Sequence, residues 1–187
     1  MILTMQIHPQ ETVRSKIYKS VTPRSIMDVT AALDHFQHKN GEELYKGKIV
    51  FAITVMGQSS QYSKAYVNKK DIKPMLHLLI NHKFPQFYKD TGFESYGGSM
   101  KDGKPQSRVF RIKYTDRKQF NFIIEEGEGQ KTQIGGFKMT KRQSMVETFL
   151  SYEEALKMAH ELYDYIHQAE LAAMLRGKPL YTVMASH

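Results

Sequence analysis

SRVFRIKYTDRKQFNFIIEE, residues 107–126, contains two runs of strict apolar–polar alternation around Thr115-Asp116-Arg117-Lys118, the pattern of an antiparallel hairpin. Side chains two apart share a strand face. Phe110, Ile112 and Tyr114 therefore line up with Phe120, Phe122 and Ile124, while Arg111, Lys113 and Asn121 point the other way. One face reads as sheet core and the opposite face as a basic, polar surface. That second face is the expected working surface, with Arg108, Arg117 and Lys118 close by in sequence.

Outward from this hairpin, the C-terminal segment is the clearest helix. Ser151-Tyr152-Glu153-Glu154 has the form of a capping box. Ala155, Leu156, Ala159, Leu162, Tyr163 and Ile166 form an apolar stripe, and Gly177 with Pro179 marks a stop. A helix this long leaves Leu171, Met174 and Leu175 beyond the sheet, where they would pack on the N-terminal hairpin or form a homodimer contact. Residues 71–82 read as a second helix, with Ile72, Met75, Leu76, Leu79 and Ile80 inward. Residues 22–40 read as a third: Thr22-Pro23 serves as N-cap and N1, Ile26, Val29, Leu33 and Phe36 as the buried stripe, and Asn40-Gly41 as the end.

Two further hairpins are expected. Residues 2–21 alternate on either side of His8-Pro9-Gln10-Glu11, with Arg14, Lys16, Tyr18 and Lys19 on the second arm. Residues 48–68 turn through Gly57-Gln58-Ser59-Ser60, and their return strand places Tyr62, Lys64, Tyr66 and Asn68 on one face. A Tyr-x-Lys-x-Tyr stripe suits base stacking with an ammonium for phosphate, but an ordinary half-buried strand is the favoured reading of it. Phe93-Glu94-Ser95-Tyr96 reads as a short strand followed by a loop at 101–105, and residues 126–130 as a turn. The whole is expected to be α+β: an antiparallel sheet with helices on one side, residues 1–21 as a hairpin appendage and 22–187 as a single domain.

The 187 residues suffice for a real core without covalent staples. Cysteine is absent, which excludes disulfides and thiolate metal sites. No charged segment leads into an apolar run at the N-terminus, and the longest apolar stretch, 49–56, is too short to span a bilayer. A cytoplasmic location without membrane association is expected. The net charge of +8 favours polyanionic partners, and it is unevenly spread. Residues 101–142 carry eleven Lys/Arg against five Asp/Glu, whereas 151–176 carry two against five. Lys138, Lys141 and Arg142 extend the basic strip.

Catalytic patterns are sparse. Glu125, Glu126, Glu128 and Lys131 loosely resemble the acids and lysine of metal-dependent nucleases, but their spacing departs from the E-x-K triplet. The glycines at 127 and 129 do not form a phosphate loop. Asp34 and His38, one helical turn apart with His35 beside them, read as an exposed helix-terminal ion pair in preference to a metal site. No metal site or cofactor is expected.

Bases interleaved with aromatics point to single-stranded or structured RNA or DNA, alone or within a ribonucleoprotein; neutralising about six phosphates would give a log–log salt slope of about −5. The expected contacts are Arg14, Lys16, Tyr18, Lys19, Lys64, Tyr66, Arg108, Arg111, Lys113, Arg117, Lys118, Lys138, Lys141 and Arg142. In layout, a sheet followed by a long helix resembles the transcription-coactivator type of single-strand binder. In general character, a small, basic, cysteine-free chain resembles anti-CRISPR proteins of phages and mobile elements. That resemblance implies an inhibitor that binds a Cas nuclease or disables its guide RNA, and it assigns no residues.

Overall fold

The computed structural model describes residues 16–33, 36–39, 42–45, 47–57, 60–133 and 136–175. The protein is α+β, with most of its regular structure in strands. Sheet one has the order β1 (Lys16–Val21), β2 (Ser25–Ala32), β5 (Lys48–Val55), β6 (Gln61–Asn68). Sheet two has the order β10 (Phe137–Ser151), β9 (Gln119–Lys131), β8 (Lys104–Tyr114), β7 (Phe93–Lys101). A two-stranded ribbon, β3 (Phe36–Lys39) with β4 (Glu42–Tyr45), joins β2 to β5, and every pairing is antiparallel.

The two four-stranded sheets face each other across the core. Sheet one contributes Met27, Val29, Ile49, Phe51, Ile53, Ala65 and Val67. Sheet two contributes the expected set Phe110, Ile112, Phe120, Phe122 and Ile124, all buried, with Tyr114 half-buried at the edge. Phe51 joins the layers: its ring stacks on Phe110 with centroids 4.5 Å apart and lies 6.3 Å from Phe122. Stacked aromatics add roughly 1 kcal/mol beyond the area they bury. Polar bonds tie the rims together, with Ser25 Oγ 2.7 Å from Thr148 Oγ1 and Ser63 donating to Glu126.

Among the described residues three helices complete the fold: α1 (Lys69–Ile80), the single-turn α2 (Phe84–Phe87) and α3 (Tyr152–Leu175). α3 packs on α1 and on β1, β9 and β10, burying Ala155, Met158, Ala159, Leu162 and Ile166. Its N-terminus is capped as expected, the Glu154 N–H donating to Ser151 Oγ at 3.1 Å. The Glu154 side chain does not close the box, because it accepts from Tyr18 and Lys157 instead. Beyond the core, Leu171, Met174 and Leu175 are exposed. No helix among the described residues is long and apolar enough to cross a membrane.

Glu170 clamps α3 to α1, its two oxygens 2.8 Å from Lys69 Nζ and Lys73 Nζ. Burial by itself would push the carboxyl up, but the hydrogen bonds and charges of the two lysines outweigh it and hold the group below the ordinary carboxylate range. A lowered folded-state value stabilises above the unfolded chain's pKa and is lost as pH falls through the folded one. Glu170→Gln is expected to cost about 1 kcal/mol at neutral pH, with the gap to wild type closing towards about pH 3. Urea titrations at both pH values check this; an undiminished gap in acid would mean that the charge of Glu170 is not what holds the helices together.

Three expectations are corrected. Residues 22–40 are not a helix. Thr22 closes the β1–β2 turn, its Oγ1 accepting the N–H of Arg24 and Ser25 at 3.3 and 3.0 Å. The buried positions then alternate as Ser25, Met27, Val29 and Ala31, a pattern in which Val29 fits the helical and the strand period alike. β-branched Ile26, Val29 and Thr30 favour the strand. Because 36–39 is also strand, the one-turn spacing invoked for Asp34 and His38 does not apply; Asp34 and His35 lie outside the described residues.

The stretch 101–105 is a two-residue turn rather than a loop. Asp102 and Gly103 have φ of 50° and 74°, both positive as a type I′ hairpin requires, and Asp-Gly is a preferred sequence for it. Residues 126–130 continue β9, whose Gly127 lies so close to the Lys141 backbone that a Cβ there would overlap it. This glycine serves close strand approach at the irregular β9–β10 register, not a turn.

Candidate nucleic-acid interface

The cations expected to share one open face are divided by the pleat, and three of the arginines among them, Arg108, Arg111 and Arg142, are paired. Arg108 is three residues from Arg111 and so lies on the core side. There its Nε donates to Glu126 at 2.8 Å, and the same carboxylate accepts from Ser63 across the sheets. Arg111 does lie on the outer face of sheet two. It is only 23% exposed, held by Glu94 at 2.5 Å and by Glu125. Arg142 reaches the other oxygen of Glu125 at 2.8 Å. Burial alone would push the Glu94 carboxyl up, but hydrogen bonds from Tyr96 and Arg111 hold it below its ordinary range. The carboxylates come from β7 and β9: Glu94 and Glu126 stand directly opposite Arg111 and Arg108 in the register, and Glu125 is diagonal to Arg111. An arginine in a half-buried carboxylate network must give up those bonds to bind phosphate.

Glu125 and Glu126 thus face opposite sides of β9 and both serve arginines. They do not converge as paired acids, and no group of three or more metal-ligating side chains occurs among the described residues.

The other expected contacts are scattered. Arg14 lies outside the described residues. Tyr18 points inward, its hydroxyl donating to Glu154 Oε2 at 2.6 Å; burial and that carboxylate push its pKa well up. Lys16 pairs with Asp28 at 2.8 Å. Lys113, Arg117 and Lys118 are exposed at the β8–β9 end of sheet two, and Lys138 and Lys141 are exposed on β10.

Lys19, Lys64 and Tyr66 belong to a different surface, the outer face of sheet one. The register sets three rows across its four strands. Val21, Ile26, Thr54 and Tyr62 form one; Lys19, Asp28, Ala52 and Lys64 the next; Lys16, Thr30, Val50 and Tyr66 the third. The two middle strands present mainly small side chains, whereas the edge strands present lysines and tyrosines. The result is a shallow trough with cationic and aromatic banks, about 14 Å from β1 to β6 at the usual strand spacing.

The third row is closed in, with Val50 buried and Tyr66 half-buried beneath the Lys64 ammonium, 5.7 Å from the ring centroid. The first row is open: Tyr62 is 61% and Val21 63% exposed. Neither Lys19 nor Lys64 has an ion-pair partner among the described residues. Arg24, exposed in the β1–β2 turn at the open end, is tied to β5 through its carbonyl, which accepts from Met56 N–H at 2.8 Å. Sequence reasoning missed Arg24 because it placed that residue inside a helix. The available signal was Thr22-Pro23-Arg24-Ser25 as a turn between two alternating runs.

No protein-family model, curated protein or solved structure matches this chain.

Proposed function

We propose that this protein binds single-stranded or structured nucleic acid, RNA or DNA, along the open end of the trough on sheet one. The supporting observation is the juxtaposition of the exposed Tyr62 ring with Lys64 and Lys19, on opposite banks of a floor of Ile26, Thr54, Ala52 and Asp28, whose carboxylate is engaged by Lys16. A flat ring stacks on any base, and flanking ammoniums neutralise backbone phosphates, so this arrangement suits sequence-tolerant binding of an unpaired strand. The trough is shallow, and among the described residues it bears no projecting helix that could enter a major groove.

Fluorescence anisotropy with labelled single-stranded RNA and DNA at two salt concentrations tests the proposal. Tyr62→Ala is expected to weaken binding about tenfold, the size of one lost stacking contact. Lys19→Gln with Lys64→Gln is expected to reduce the magnitude of the salt slope by about 1.4. Absence of binding to either strand at low salt would sink the proposal and favour an inhibitor of a protein partner.

A further inference from the structure

Sheet two ends in a cluster of lysines that the trough does not use. Lys101 and Lys104 are register partners flanking the Asp102-Gly103 turn, so two ammoniums stand directly opposite each other. Like charges so placed weaken a hairpin, and the turn owes its shape to Asp102 and Gly103 rather than to either lysine.

At the same end, β9 finishes at Lys131 and β10 begins beside it, with Lys138 opposite Gln130 and Lys141 opposite Glu128. The sheet curls here until its first and last strands meet. Phe137 sits against Gly98 of β7, where a Cβ would come within 2.6 Å of the ring. The β8–β9 register, continued from Gln106 opposite Glu128, sets Gln130 in line with Lys104, and Lys138 is opposite Gln130. All five lysines are exposed and enter no ion pair among the described residues, and the only acids in the cluster are Asp102 and Glu128.

Edge lysines also discourage sheet-to-sheet aggregation. That role accounts for Lys101 on β7 and for Lys138 and Lys141 on β10, the two edge strands. It does not account for Lys104 and Lys131 on the inner strands β8 and β9, brought to the same end.

We infer that this lysine-bearing tip is a second contact for the phosphate backbone, indifferent to base and separate from the tyrosine-lined trough. That the phosphates belong to nucleic acid rests on the function proposed above; the affinity of the tip for a chain of phosphates does not. Two contacts on one chain raise affinity only for a strand long enough to reach both.

The test compares the full chain with the variant Lys101→Gln, Lys104→Gln, Lys138→Gln. The probes are inorganic polyphosphate, a labelled dT oligomer of about 30 nucleotides and one of about 6. The variant is expected to bind polyphosphate at least tenfold more weakly and to lose a similar factor on the long oligomer. Its long-oligomer salt slope should fall in magnitude by about 2, while its affinity for the short oligomer stays unchanged. Equal binding of polyphosphate by both proteins, or an equal loss on short and long oligomers, would overturn the inference. Loss of polyphosphate binding by a protein that binds no oligomer would sustain the tip and sink the trough.

Discussion

Arg111→Glu is expected to destabilise the protein by about 3 kcal/mol, the loss typical of breaking a substantially buried ion pair from one side. Arg111 lies between Glu94 and Glu125, and the Glu125 side chain is only 11% exposed. The substitution would set a third carboxylate among two that have surrendered much of their water. Arg142 still reaches Glu125, but its 57% exposure leaves it a weakly held partner. Urea unfolding would show a lower midpoint with an unchanged slope. Adding Glu94→Gln and Glu125→Gln should recover part of the loss by removing the repulsion. A loss below about 1 kcal/mol would mean that these carboxylates are hydrated and that Arg111 is available for phosphate after all. On its outer face alone, Arg111 looks like an exchangeable surface cation; its neighbours in the register make it structural.

Phe51→Ala is expected to have the largest effect of any single truncation, about 4 kcal/mol. Its ring is fully buried on the central strand β5 and packs against Phe110 and Phe122 of the other sheet. Deletion removes apolar area and leaves a cavity between two layers, each held by its own hydrogen-bonded ladder and so poorly able to collapse into it. Phe87→Ala, at a ring that is 70% exposed, provides the control, with an expected change within about 0.5 kcal/mol. Comparable losses at both positions would refute the placement of the core between the sheets.

Both predictions concern residues on alternating strands, and they differ in how legible they were. Phe110, Ile112, Phe120, Phe122 and Ile124 were readable as core, because period-two alternation reports a face directly. The cap at Ser151, the helix over 69–80 and the 48–68 hairpin were readable for the same reason: their signals lie within a few residues. Residues 22–32 were misread because their apolar positions satisfy two periods, and no local signal chose between them. The cation set at Arg108, Arg111 and Arg142 was visible as charge but not as pairing. Each partner carboxylate is 14 to 18 residues away in sequence and is brought alongside by strand register.

By itself, the sequence determined the class of the fold, the apolar face of the central hairpin, the long capped C-terminal helix and the excess of positive charge. All four follow from composition or from short-range periodicity. Tertiary structure alone decided which cations face solvent. It paired the arginines of sheet two with neighbouring glutamates, set Lys19 and Lys64 on opposite banks of one trough, and gathered five lysines at a curled sheet end. Electrostatic availability depends on distances between residues remote in sequence, and those distances exist only once the strands are in register.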